Sequence, residues 1–203
     1  MYKDDRHDLI RFNFIKRALR GLRQYKNVAM TVALIFLFIT PQLSSADKTS
    51  PEYAVKAAYI FNILRFVESA DNSLFDDIDE INICILGESK FGQYITPIET
   101  KQIENKPLRI LKQTSLQQTQ QCQLVFIGNT QLYLPEEVSK VLGDKKVIVV
   151  GDDMDFVKNG GMFAFYVENK KVRLGINKDT LDKSGLKASS LLLEVATAFG
   201  DSK

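Results

Sequence analysis

Three stretches of this chain are apolar almost without a break and then end in glycine: INICILG (81–87), QLVFIG (123–128) and KVIVVG (146–151). A strand with one face in water alternates apolar and polar residues. A strand covered on both faces has no reason to alternate, and such strands build parallel sheets whose crossovers are helices. PLRIL (107–111) reads as a further strand. Helical segments fall between the strands, a short one from Phe91 to Thr96 stopped by Pro97 and another near Pro135–Leu142. MFAFYV (162–167) and KVRLGI (171–176) do alternate, with ENKK between them as a hairpin turn. A helix near Asn177–Ser184 follows, and a last one near Ser189–Phe199 places Leu192, Val195, Ala196 and Phe199 at helical spacing. The predicted architecture is a single α/β domain: a mostly parallel sheet flanked by helices, closed by a C-terminal β-hairpin and helix.

Residues 1–46 do not belong to that pattern. Eight basic residues (Lys3, Arg6, Arg11, Lys16, Arg17, Arg20, Arg23, Lys26) precede the uncharged run VAMTVALIFLFI (28–39), Pro41 and the small residues Ser44-Ser45-Ala46. A basic segment, an apolar segment and a small-residue site form a secretory signal, with cleavage expected after Ala46 and the α/β domain spanning 47–203. The competing reading is an uncleaved anchor, but a bilayer span takes about 20 apolar residues and this run is shorter. Removing eight basic and three acidic residues from the chain's 27 and 25 leaves 19 and 22, a net charge of −3 in place of +2. The basic balance belongs to the export signal, and with it goes the charge argument for nucleic acid. The single histidine, His7, is removed too. Without histidine the mature chain has no Ser–His or Cys–His nucleophile and no usual zinc site. Cys84 and Cys122 remain. An even number of cysteines in an oxidising compartment is expected to pair, although two cysteines alone do not establish proximity.

The mature chain opens on Ser50-Pro51-Glu52, an N-cap, a first-turn proline and an acid, so a helix is predicted from Pro51 to Ser69. Tyr53, Ala57, Ile60, Leu64 and Val67 form one apolar stripe, and Tyr59, Ile63 and Phe66 form a second on another side. Two stripes mean either deep burial or one stripe turned to a partner, which makes Tyr59, Ile63 and Phe66 the candidate interface, for a homodimer or another protein.

No motif supplies catalysis. Gly87 and Gly92 have P-loop spacing, but Gln93 and Tyr94 stand where lysine and a hydroxyl residue must reach phosphate and magnesium. Ser184-Gly185-Leu186-Lys187 lacks the companion elements of an S-x-x-K enzyme. GDDMDF (151–156) fails as a calcium loop because Val157 holds the third ligand position, and it reads as a loop with Asp153 or Asp155 capping a short helix. Asp76–Glu80 reads as a solvated acidic connection. Neither a metal nor a cofactor is expected. Loops at the carboxyl ends of parallel strands are where α/β sheets bind ligands, so Gly87, Phe91, Gly92, Asn129 and Asp152 form the candidate ligand edge. Ordinary turn chemistry is the preferred reading of any single glycine, with a small periplasmic ligand as the alternative.

Five blocks in register, VKAAYIFNILRFVE (55–68), ICILGESKFG (83–92), CQLVFIG (122–128), NGGM (159–162) and VRLGIN…SGLKASSLLLEVA (172–196), resemble the YfiR family. The resemblance implies a small periplasmic α/β protein, not an enzyme, that represses the inner-membrane diguanylate cyclase YfiN by binding its periplasmic region. Cyclic-di-GMP and biofilm output would fall as a result. It also implies an outer-membrane lipoprotein as a second partner and leaves a homodimer open. The alternative is a periplasmic small-ligand-binding sensor or transport accessory domain, since variants of the domain occur beside such systems. The resemblance carries Cys84 and Cys122 onto the family's cysteine positions in the first and third strands, and so implies a disulfide, either a structural staple or a redox switch. Further cysteines found near NGGM in some relatives are absent.

Overall fold

Alternate residues of each continuous run point to opposite faces of one sheet, and both faces are covered. The structure is a computed structural model, and it describes residues 51–69, 71, 74–87, 90–113, 115–128, 130 and 132–200. Its helices are α1 (Pro51–Phe66), α2 (Pro135–Leu142), α3 (Met154–Lys158), α4 (Lys178–Lys183) and α5 (Ser190–Val195). Its strands are β1 (Val67–Ser69), β2 (Ile81–Leu86), β3 (Gln102–Ile103), β4 (Lys106–Gln113), β5 (Leu124–Ile127), β6 (Ile148–Gly151), β7 (Phe163–Glu168), β8 (Lys171–Asn177), β9 (Leu186–Ala188) and β10 (Ala196–Phe199). Eight strands form one sheet in the order β10-β8-β7-β6-β5-β2-β4-β3. From β4 through β2, β5 and β6 to β7 every neighbour is parallel. β7 and β8 form the antiparallel hairpin that ENKK predicts. The domain is therefore a single mostly parallel α/β domain.

On the first face Ile81, Ile83, Ile85, Phe126, Val150, Phe163 and Phe165 meet Tyr53, Ala57, Ile60, Ile63 and Leu64 of α1. On the second, Cys84, Leu86, Val125, Ile127 and Val149 meet Val138 and Leu142 of α2 and Phe156 and Val157 of α3. Each fully buried side chain of this size contributes about 1.5–3 kcal/mol, so two covered faces explain why the runs contain so few polar residues. The NGGM block has a packing reason. A methyl group on Gly151 or Gly161 would collide with the Phe156 ring, which is wedged between them.

The observed elements differ from the predicted ones at their ends. α1 stops at Phe66, and Val67–Ser69 becomes β1, paired antiparallel with β9. Pro97 does not stop a helix but sits in the first turn of a 3-10 helix, Thr96–Thr100. The closing helix ends at Val195, and Ala196–Phe199 becomes β10, parallel to β8. Asp153 rather than Asp155 caps α3, accepting the Phe156 N–H at 3.0 Å. Ser50 lies outside the described residues.

Candidate functional site

The carboxyl ends of the parallel strands lie along one edge, as the topology requires. β2 ends into Gly87, whose φ of +81° needs glycine, and β6 ends into Asp152. Gly87 and Gly92 are exposed in the turns there. Asn129 lies outside the described residues. Phe91 does not line an open edge. It is buried, packed edge-to-face on Tyr53 at 5.1 Å and on Phe126 at 4.8 Å between ring centroids.

Asp152 is likewise drawn inward. One carboxylate oxygen accepts the Tyr53 hydroxyl at 2.6 Å, and the other accepts the Lys56 ammonium at 2.6 Å. Lys56 also pairs with Glu52, one turn earlier on α1. Its side chain is only 3 % exposed. A buried ammonium is costly unless paired, and here two carboxylates and the face of the Tyr53 ring, 4.4 Å from the nitrogen, surround it. Burial, then the hydrogen bond to Asp152 and the nearby carboxylates, push the Tyr53 hydroxyl far above its ordinary range, so it is a neutral donor. Burial also raises Asp152, and the hydrogen bonds from Lys56 and Tyr53 only partly pull it back. This cluster fastens the first turns of α1 to the loop after β6. Among the described residues, grooves of 310 to 540 Å³ open beside α2, beside β1, beside β9 and between Ser115 and Val141.

Tyr53 and Lys56 are the members of this cluster that sequence reasoning did not single out. Tyr53 reads as core, and Lys56 is one lysine among many. The available signal is positional: Lys56 adjoins Ala57 on the stripe that also holds Tyr53 and Ile60. A lysine on a buried stripe must be paired or reach water.

The second stripe of α1 is split by the structure. Ile63 is fully buried among the core residues, which withdraws it as a surface the free chain could offer. Tyr59 and Phe66 are half-buried. The Tyr59 ring lies 5.8 Å from Phe165. The Arg65 guanidinium lies 5.2 Å from the centre of Phe66 and 5.7 Å from Phe61, and the Lys101 ammonium lies 5.2 Å from Phe61. Arg109 and Arg173 pair with Glu80 and Glu168, whereas Arg65, among the described residues, faces these rings and no carboxylate. Phe61 lies on one flank of the buried face of α1, and with exposed Val55 the half-buried Tyr59 and Phe66 form an outward strip along the opposite flank. That is the composition of residues that dominate protein interfaces.

Cys84 of β2 and Cys122, just before β5, are joined by a disulfide with Cα atoms 5.9 Å apart. Both are buried in the second-face core. The surrounding core shields the bridge from solvent.

A family model described as YfiR/HmsC-like matches residues 53–197. No curated protein matches the chain. Among solved structures, a conserved domain protein from Vibrio cholerae O1 biovar eltor is similar at 12 % identity, with 71 % of this chain and 60 % of that one covered and a TM-score of 0.49. The ABC domain in complex with L-Trp from Streptococcus pneumonia is similar at 10 % identity, with 65 % and 59 % covered and a TM-score of 0.45. The chain thus spans about three fifths of the length of each.

Proposed function

We propose, because this chain belongs to the YfiR/HmsC-like family, that it is a non-enzymatic periplasmic regulator that binds and represses a membrane-bound diguanylate cyclase. Membership supports a periplasmic regulatory role in general, and the cyclase as target is our reading. The observation that carries it is the outward strip of α1, with Val55, Tyr59 and Phe66 on one flank of a helix that packs on the sheet. Repression lowers cyclic-di-GMP and biofilm output, and an outer-membrane lipoprotein that takes the regulator away relieves it. The small-ligand alternative ranks second because the strand-end edge is filled by Tyr53, Phe91 and the Lys56–Asp152 pair.

The test is a pull-down of the tagged mature protein from membranes, with the captured protein identified by mass spectrometry. A diguanylate cyclase is expected. Tyr59→Gln with Phe66→Gln should weaken capture by roughly thirtyfold, equivalent to about 2 kcal/mol for an interface aromatic, while circular dichroism stays unchanged. Membranes that yield no cyclase sink the reading. Variants that fail to fold would show that both rings are core.

Export is part of the same reading. Among the described residues no helix is long and apolar enough to cross a membrane. Protein recovered from the periplasm should begin at Asp47 on N-terminal sequencing. Full-length chain in the membrane fraction would instead establish an anchor.

A further inference from the structure

We propose that Asn159 is a spontaneous modification site, where the native chain converts its own amide into an aspartyl or isoaspartyl carboxylate and so loosens the second-face core. Asn159 precedes Gly160, and no other asparagine of the chain precedes a glycine. The main-chain nitrogen of a following residue can attack an asparagine side-chain carbonyl, and a glycine has no β-carbon to block that approach. The Gly160 nitrogen bonds to Cγ of Asn159, and its hydrogen leaves with the amide nitrogen as ammonia. Water then opens the cyclic imide. Opening at Cγ gives aspartate. Opening at the main-chain carbonyl gives isoaspartate, with the backbone rerouted through the side chain.

The fold leaves this pair open to the reaction. Asn159 is exposed at the C-terminal cap of α3, and among the described residues no hydrogen bond holds its side-chain amide. Gly160 has a φ of +96°, and nothing lies within 4 Å of where a β-carbon would stand. Its N–H makes only a long hydrogen bond to the Val157 carbonyl, at 3.3 Å. Attack requires the Asn159 ψ to turn from 19°, and the exposed last turn of a five-residue helix opens at little cost. The other asparagines serve as internal controls. Asn105 and Asn169 are exposed in turns, but each precedes a lysine. Asn177 is buried, and its amide is bonded at both ends, to the Thr180 N–H and the Val157 carbonyl.

The consequence follows from what the next residues hold. Gly161 donates to the Phe156 carbonyl at 2.8 Å, and a β-carbon on it would lie 2.3 Å from the Phe156 ring. The Gly160 carbonyl accepts the Thr180 hydroxyl of α4 at 3.0 Å. Both contacts depend on the length of backbone between α3 and β7. The isoaspartyl link adds a methylene to that path and displaces Gly161 from the ring, which belongs to the second-face core. Close-packed interiors have no slack for the added atom. The outward strip of α1 lies on the other face and is not touched.

Peptide mapping of the mature protein, kept warm at neutral pH for several weeks in water labelled with heavy oxygen, tests this. The peptide containing Asn159 should show amide nitrogen replaced by oxygen from the solvent, and it should become a substrate for an isoaspartyl carboxyl methyltransferase. Peptides containing Asn105 and Asn169 should stay unchanged over the same period. The thermal midpoint should fall as the isoaspartyl fraction rises. Asn159→Gln, whose longer side chain closes a larger ring more slowly, should keep its midpoint under the same storage. If that variant does not fold, the wild-type mapping and midpoints decide. Conversion confined to protein unfolded in urea, with native Asn159 intact, overturns the proposal. So does conversion as fast at Asn105 or Asn169, or isoaspartyl protein with the midpoint of fresh material.

Discussion

Lys56→Ala should destabilise the domain by about 3–5 kcal/mol, the usual cost of removing one partner from a buried ion pair. Lys56 is 3 % and Asp152 12 % exposed, so the carboxylate left behind would have little access to water. Asp152→Ala should cost less, because Glu52 still pairs with the ammonium that it leaves. Lys56→Met combined with Asp152→Leu should cost far less than either single change, since a buried pair replaced by apolar groups of similar volume is often close to neutral. Urea unfolding of the four proteins gives the comparison. A loss below about 1 kcal/mol for Lys56→Ala would mean that the pair does not hold the start of α1. The pair also sets a pH dependence. Burial raises Asp152, so the native chain binds that proton more tightly than the unfolded chain does. The stability contributed by that proton is fully present below the unfolded aspartate pKa of about 4 and is lost as pH rises through the raised native value. The stability difference between wild type and Asp152→Asn should therefore shrink from the acid side of that window to the neutral side. A difference that grows with pH would reverse the assignment.

Cys84→Ser should lower the unfolding free energy by about 2–5 kcal/mol, the range for a lost native bridge in a small secreted domain. The bridge closes 38 residues, for which loop-closure entropy alone amounts to about 4 kcal/mol. That is a large share of the roughly 5–15 kcal/mol that holds a domain together, and the thermal midpoint should fall by on the order of 10 °C. Serine also places a hydroxyl among Leu86, Val125 and Ile127, so Cys84→Ala is the cleaner control. Denaturing alkylation of unreduced native protein should find no free thiol, and intact mass should be two hydrogens below the reduced value. The folded variant should still capture its partner, because both sulfurs lie in the core away from the outward strip of α1. Capture that reduction abolishes or creates, with the fold intact by circular dichroism, would make the bridge a switch. Two free thiols in periplasmic protein would remove it altogether.

The candidate site was only partly legible in the chain. Asp152 could be found because a parallel strand ends at Gly151, and that placement follows from local pattern alone. Its partners could not. Tyr53 and Lys56 stand 99 and 96 residues away, and nothing in either segment marks the other. Phe91 reads as an edge residue by position, but the Tyr53 ring from α1 closes over it. Ile63 shares a stripe with Tyr59 and Phe66, and only the packing decides which of the three is enclosed.

The sequence by itself determined the central sheet, its hairpin and the covering helices. Short unbroken apolar runs that end in glycine and are spaced by helical segments fit strands buried on both faces, and each strand's period of two then distributes its side chains between two cores. Tertiary structure alone decided the short segments at the margins. Leu192, Val195, Ala196 and Phe199 keep helical spacing, yet the last two belong to a strand, because a few apolar residues fit either period and the open edge of β8 beside Gly175 takes them. Val67 continues the stripe of α1 but leaves the helix to pair with Ala188, more than a hundred residues later. The buried charges follow the same rule. Whether Lys56 meets water or Asp152 depends on which surfaces the fold brings together, and a one-dimensional pattern carries no term for that contact.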